Sequence, residues 1–201
     1  MNSQMLILKL ELLGDALFGS GDGIAGLIDL HGRGVKGLLR ARCQEVLSAL
    51  ELALPDRIRL FRETETYLFG RRGSDLDANA ALAFGPARLS DQLARALNSA
   101  HKPQTATADI VLSALTSIRR QTSIDESTGA AAEDTLRSAR VLRRGLVFCA
   151  PVYAPTDWDA RARGLLAASV MALRRVGARR ARGMGQARAT LIQNGQDVTL
   201  A

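Results

Sequence analysis

Histidine, cysteine and lysine are nearly missing from this chain of 201 residues, which contains two, two and three of them respectively. The cysteines, Cys43 and Cys149, are too few for a disulfide framework or a four-cysteine zinc site, and neither sits in a C-x-x-C pair. Both are expected as reduced core residues. His31 and His101 stand apart, which removes the H-E-x-x-H zinc arrangement and most Cys/His or Ser/His/Asp nucleophile schemes. Aromatic residues make up only 4% of the chain, and no K/R-G-F-x-F-like cluster occurs, so a sheet that stacks splayed bases on exposed rings has no support. The longest stretch free of charge, Gly145 to Thr156, falls well short of the ~20 apolar residues a membrane-spanning helix needs. The first residues lack both a basic start and an apolar run leading to a cleavage site, so no export signal is expected. The chain is therefore assigned to the cytoplasm, with no membrane partner.

What is present is an ordinary globular composition with an unusual charge. Hydrophobic residues are 47% and charged residues 23%, which excludes disordered and collagen-like classes, and the length suits one domain over 1–201. The net charge is +7, carried by 24 Arg. Arginine is always ionised and offers a planar fork that matches phosphate oxygens, whereas a surface needing only solubility could equally use lysine. Position sharpens this: residues 160–201 hold eight Arg and one acid, Asp197, so this last fifth supplies the whole net charge. A localised basic block beside a neutral body is the footprint of a polyanion-binding face. A GC-rich genome also raises Arg and Ala together, but spreads them more evenly.

Along the chain, Met5 to Leu12 alternates Leu6, Leu8, Leu10 and Leu12 against Ile7, Lys9 and Glu11, the period of a half-buried strand. Gly14 to Gly37 packs eight glycines into a segment read as a long loop. From Val35, Leu38, Leu39, Cys43, Val46, Leu47 and Leu50 recur at three- and four-residue spacing until Pro55, an amphipathic helix. Pro55 to Ser90 reads as irregular with one strand, Ala80 to Phe84. A short helix capped by Ser90 is expected through Leu97, and Ala108 to Ile118 has helical periodicity. Thr122 to Asp134 is too rich in Ser, Thr, Gly and acid for core and should protrude. Ala139 to Leu142 and Leu146 to Tyr153 read as strands, with Pro151 marking a sheet edge or bulge. Thr156 and Asp159 resemble a capping box opening a helix that Gly177 would end, and Ala187 to Ile192 reads as a last strand. This order predicts an α+β, ferredoxin-like or RRM-like domain: an antiparallel sheet, two main helices and a protruding thumb-like insertion over about 122–136.

Two phosphate motifs are excluded. Gly21 to Gly26 (GDGIAG) matches G-x-G-x-x-G after a strand, but the glycine-broken residues that follow do not supply the helix amino terminus a pyrophosphate needs. No G-x-x-x-x-G-K-[ST] occurs, since Lys36 precedes Gly37.

Four blocks remain. Leu17 to Asp29 (LFGSGDGIAGLID) is similar to a glycine-rich loop closing on Gly-x-Ile-Asp. Gly32 to Arg40 (GRGVKGLLR) is similar to a G-[RS]-x-[LV]-K-G-x-L-R helix start. Arg120 to Phe148 is similar to an R-x-x-I-D-x-x-T-G-x-A segment with its following strand. Gly177 to Gly185 (GARRARGMG) is similar to a G-x-x-R-x-R-G-x-G loop. In this order they resemble the RAMP superfamily, the RRM-like subunits of CRISPR ribonucleoprotein effectors, most of all those of type III. The resemblance implies an RNA-binding subunit that stacks with neighbouring effector subunits along a guide RNA, grips its backbone and helps position target RNA, the thumb separating the two. The implied RNA contacts are Gly19, Gly21, Gly23, Arg33, Lys36, Arg40, Arg120, Arg179, Arg180, Arg182, Gly183 and Gly185. Backbone amides of glycine loops approach phosphate without a Cβ in the way, and the cations release counterions on binding. The competing readings are connecting loops, the wet face of a helix and a capped helix end. A free-standing basic RNA-binding protein is the blander alternative.

Asp29 carries the enzymatic alternative. In the family's target-cleaving subunits an Asp at the end of this loop supports metal-dependent RNA cleavage by the 2′-hydroxyl, and one carboxylate with the substrate phosphate can hold Mg²⁺ or a similar divalent ion. Binding by itself requires no cofactor. The other reading is that Asp29 bonds loop amides. Lys36 follows Asp29 by only seven positions, without proline, where relatives carry a longer insert, which favours the second.

Overall fold

The computed structural model describes residues 3–18, 31–71, 80–100, 108–122, 127–130, 135, 137–178 and 183–200. Strand β1 (Ser3–Leu12) follows its alternation: Leu6, Leu8, Leu10 and Leu12 are buried, while Met5 and Lys9 are exposed. It lies at the centre of a sheet, antiparallel to β6 (Val147–Pro155) through Leu8↔Ala150 and to β7 (Ala187–Gln193) through Leu10↔Ala189. Two short strands, β2 (Ala83–Phe84) and β3 (Arg88–Leu89), pair with the far side of β6, and β8 (Gln196–Asp197) turns back on β7. The order β2-β6-β1-β7-β8 is that of the expected ferredoxin-like, RRM-like class.

Helices α1 (Gly32–Ala53), α2 (Ile58–Phe69) and α5 (Ala160–Ala172) pack on one another beneath the sheet. Val35, Leu39, Cys43 and Leu47 form the buried stripe of α1, and Leu165, Leu166 and Val170 that of α5. These leucines, with Leu68, Phe69 and Leu82, make one main core. Cys43 belongs to it, and burial pushes its thiol up to about 11. Cys149 departs from the expectation of a core residue: it is half-buried, one of the β6 residues that alternate away from buried Phe148 and Ala150. Pro151 is not on a sheet edge, because β2 and β3 pair with the side of β6 away from β1; it sits opposite the break between those two short strands. Its carbonyl accepts from the Gly85 N–H (2.9 Å), so its nitrogen faces away from β1 and the β1 ladder is intact, while the reciprocal bond to Gly85 is not made.

Several expectations are corrected. Residues 55–69 are not irregular: a 3-10 turn (Pro55–Arg57) leads into α2. Its buried stripe includes Thr64 and Glu65, polar residues that read as surface in the sequence. They are admitted because Thr64 Oγ1 donates to the Leu60 carbonyl (2.8 Å) and Glu65 is paired with Arg40. The long loop is shorter than expected, since α1 starts at Gly32 despite Gly34 and Gly37; burial of Val35 and Leu39 overrides helix propensity. The apolar run at 108–118 divides into α4 (Ala108–Leu115) and strand β4 (Thr116–Gln121), after α3 (Asp91–Ala100). β4 pairs with β5 (Arg137–Leu142) as a separate two-stranded ribbon. The cap of α5 is Asp159, whose carboxylate accepts from the Ala162 N–H (2.7 Å), and not Thr156. The same helix stops at Ala172 rather than at Gly177, because residues 174–176 leave it to bond with 185–187. Among the described residues no helix is long and apolar enough to cross a membrane.

Candidate nucleic-acid interface

At the carboxyl end of β1 three connections begin. The chain leaves β1 through Asp15, Ala16 and Leu17 toward the first glycine-rich loop. The β4–β5 ribbon has its root at Thr116 and Leu142. The carboxy-terminal loop springs from Val176 to Ala178 and returns through Gly183 to Gly185. Main-chain hydrogen bonds stitch all three roots together. Ala16 and Leu142 exchange bonds in both directions (3.0 and 2.8 Å). The Ala178 N–H donates to the Leu17 carbonyl (2.7 Å), and the Gly185 N–H donates to the Asp15 carbonyl (2.7 Å). The Val176 N–H closes the loop root on the Gly185 carbonyl (2.8 Å).

Glycine is required here by close approach as well as by dihedral. Gly177 and Gly185 have φ of 79° and 72°, and a Cβ on either would collide with the Leu17 or Val176 carbonyl oxygen. Gly183 has φ of 75° with open space around it. A small apolar cluster of Leu17, Val141 and Met184, with Ala139 against it, seals the junction. The carboxylate of Asp15 fastens the ribbon: Arg119 donates to Oδ2 from Nε and Nη2 (3.2 and 3.1 Å), and the Arg144 N–H donates to Oδ1 (3.1 Å).

The ribbon and the turn after it carry six arginines, Arg119, Arg120, Arg137, Arg140, Arg143 and Arg144. Arg119 and Arg137 share the ribbon face of Ala139 and Val141, while Arg120 and Arg140 occupy the other. Arg140 and Arg143 are turned partly inward. Arg140 donates to Thr116 Oγ1 (3.1 Å), and Arg143 donates to the Thr116 and Ser113 carbonyls (2.8 and 3.3 Å). Arg120, Arg137 and Arg144 are exposed. Sequence reasoning singled out Arg120 alone. The others escaped because Asp125, Glu126, Glu133 and Asp134 sit between the two strands and cancel them in any sequence count. Folding brings the six arginines together on the ribbon and the turn after it. Pairing Thr116–Gln121 with Arg137–Leu142 was the available signal, and it was obscured by the helical reading of residues 108–118.

The remaining sequence-predicted residues divide. Gly183 and Gly185 lie in the corner and Arg120 on the stem above it. Arg33 is exposed and Lys36 half-buried on the first turns of α1. Arg40 is directed inward: its Nε donates to Glu65 Oε1 (2.8 Å) and its Nη2 to the Gly70 carbonyl (2.8 Å), with 17% of the side chain exposed. It joins α1 to α2. Gly19, Gly21, Gly23, Asp29, Arg179, Arg180 and Arg182 lie outside the described residues, as does most of the 122–136 insertion. Near the base of that insertion the hydroxyls of Thr122 and Thr135 are 2.8 Å apart. Among the described residues no three His, Cys, Asp or Glu side chains converge in a way that could hold a metal ion.

The fold and this basic corner define an α+β protein of the RRM-like kind with an arginine-bearing hairpin beside its sheet. The family model of the RAMP superfamily matches residues 9–188, and the chain belongs to that superfamily. No curated protein matches it by sequence. Among solved structures it is similar to a chain of the type III-B Cmr-beta complex bound to cognate target RNA, with a TM-score of 0.56, 13% identity and 95% of this chain covered. The likeness spans only 61% of that chain. It is also similar to a chain of type III-B Cmr-beta in the apo state, with a TM-score of 0.59, 10% identity, and 96% and 98% of the two chains covered. At these identities the likeness is one of fold.

Proposed function

We propose that this protein is an RNA-binding subunit of a CRISPR type III ribonucleoprotein effector, gripping the guide RNA by its sugar-phosphate backbone beside target RNA and neighbouring subunits. One observation carries the reading. The roots of the first glycine-rich loop, the arginine-bearing ribbon and the carboxy-terminal Gly/Arg loop are bonded into a single corner. Both loops, rich in glycine and, in the second case, arginine, therefore depart from one place, beside Arg144 and at the root of the ribbon that carries the exposed guanidinium groups of Arg120 and Arg137 further out. Glycine-rich loops rooted beside fixed charge suit phosphate at any base sequence. Superfamily membership and the likeness to chains of type III-B assemblies support the same reading.

The experiment measures binding of the full chain to two single-stranded RNAs of equal length and unrelated sequence across a salt series. Similar affinities are expected, with log K falling by roughly 0.7 per phosphate contacted for each decade of salt. A chain that ignores both RNAs, or that prefers one at all salt concentrations, would sink the reading. Co-expression with the proteins encoded beside it tests assembly, and recovery of a lone, RNA-free monomer would contradict it.

A further inference from the structure

The outer edge of β7 is incompletely covered. The Leu13 N–H donates to the Gln186 carbonyl, so odd-numbered residues at this end of β1 turn their main chain toward β7. By alternation, Ala187, Ala189 and Leu191 turn theirs outward. The Ala187 N–H is taken by the Arg174 carbonyl (2.9 Å). Leu191 is covered at both groups: its N–H donates to Thr199 Oγ1 (2.9 Å), and its carbonyl accepts from the Val198 N–H (2.8 Å). Asp197 holds that cover in place, its carboxylate accepting from the Thr199 N–H and Oγ1 (2.9 and 2.6 Å). Between these covers, Ala189 points its N–H and its carbonyl out of the sheet with no partner among the described residues.

A groove of about 510 Å³ runs over this window. Met171, half exposed, lines it from the helix side, and Leu13 from the end of β1. Arg174, Arg175 and Arg188 surround it. Arg188 belongs to the face away from the helices, opposite Glu11, at 3.9 Å and largely exposed. An extended segment laid beside Ala189 would send alternate side chains to the two faces, one toward Met171 and the next toward Arg188. We propose that this window is a strand-addition site for an acidic, extended peptide segment of a partner protein, in which apolar and acidic residues alternate. RNA fits less well, because a strand edge presents a donor and an acceptor side by side with side chains alternating to two faces, a repeat that an extended peptide matches and a ribose-phosphate chain, although its 2′-hydroxyl can donate, does not.

The test uses a fluorescein-labelled peptide alternating Val and Glu, a control of the same composition with the glutamates blocked at one end, and single-stranded RNA as competitor. Binding to the full chain is read by anisotropy, and hydrogen exchange at the Ala189 amide by NMR. The alternating peptide is expected to bind and to slow that exchange, while the blocked peptide does neither. Arg188→Gln and Ala189→Pro are each expected to weaken it about tenfold, the loss of one charge contact or one edge hydrogen bond. Pro151 on β6 shows that this sheet accepts a proline whose nitrogen faces away from β1; should Ala189→Pro not fold, the exchange measurement on the native chain decides. Equal binding of both peptides, unchanged exchange at Ala189, a folded Ala189→Pro chain that binds normally, or RNA displacing the peptide as an equal competitor would each overturn the proposal.

Discussion

Arg40 illustrates how one residue type serves opposite ends in this chain. In sequence it stands within a basic helix start beside Lys36, and it resembles a phosphate ligand. In the folded protein its guanidinium bridges Glu65 and the Gly70 carbonyl, both on or at the end of α2. Removing it leaves the Glu65 carboxylate, itself only 12% exposed, without its cation. Arg40→Ala is therefore expected to cost about 3 kcal/mol of stability in urea unfolding. RNA affinity per folded molecule should remain unchanged; a folded, equally stable variant with weakened RNA binding would return Arg40 to the interface. Cys43 gives a pH dependence. Burial is the main reason its thiol is raised to about 11, with Ser169 opposing that shift. An unfolded thiol ionises near its ordinary value of 9.0, so above that pH the unfolded chain loses a proton that the native chain keeps. Its contribution is complete below pH 9.0 and is lost as pH rises toward about 11. The stability difference between the native chain and Cys43→Ala should shrink across that window, and a difference that stays constant would place the thiol in a solvated environment.

Among the elements, the β4–β5 ribbon differs most from what a linear reading conveys. Its arginines are close in space because Arg119 faces Ala139, Arg120 faces Ser138 and Gln121 faces Arg137. Along the chain the same residues are divided by an acidic insertion. The substitutions Arg120→Gln, Arg137→Gln and Arg144→Gln combined are expected to lower the slope of log K for single-stranded RNA against log salt by about 2, since each phosphate left without its arginine takes ~0.7 from that slope. These residues are exposed and belong to neither core cluster, so the thermal midpoint should stay where it is. A slope that does not change would show that RNA follows another face. Helix α2 was hidden for a different reason. Its buried stripe contains Thr64 and Glu65, and a polar stripe is legible only when the partners that satisfy it are known. β1, α1, β6 and β7 were legible because their buried positions are nearly all aliphatic and their period is unambiguous.

For the molecule as a whole, a net charge conceals a local balance: the six arginines of the ribbon and its turn stand against four acids of the insertion between the strands, Asp125, Glu126, Glu133 and Asp134. Replacing residues 122–136 by a short Gly/Ser turn removes those acids and no base. The shortened protein is expected to melt with the native one, since the main core holds no residue of that stretch. Its affinity for isolated single-stranded RNA should rise at ~0.1 M salt, where charges ~10 Å apart still interact. Equal or weaker binding would mean that the insertion holds RNA rather than repels it.

Sequence by itself determined the layer architecture of this protein. Alternation in β1, β6 and β7 and the stripes of α1 and α5 mark the faces that the folded protein packs into one core between sheet and helices, and superfamily membership agrees with it. It also determined that the cations are arginines, with the chemistry that follows. Which arginines act together was decided only by the tertiary structure. Hydrogen bonds from Asp15 to Gly185, from Ala16 to Leu142 and from Leu17 to Ala178 join segments more than a hundred residues apart, and a neighbour's charge matters through distance in space, which no local pattern records.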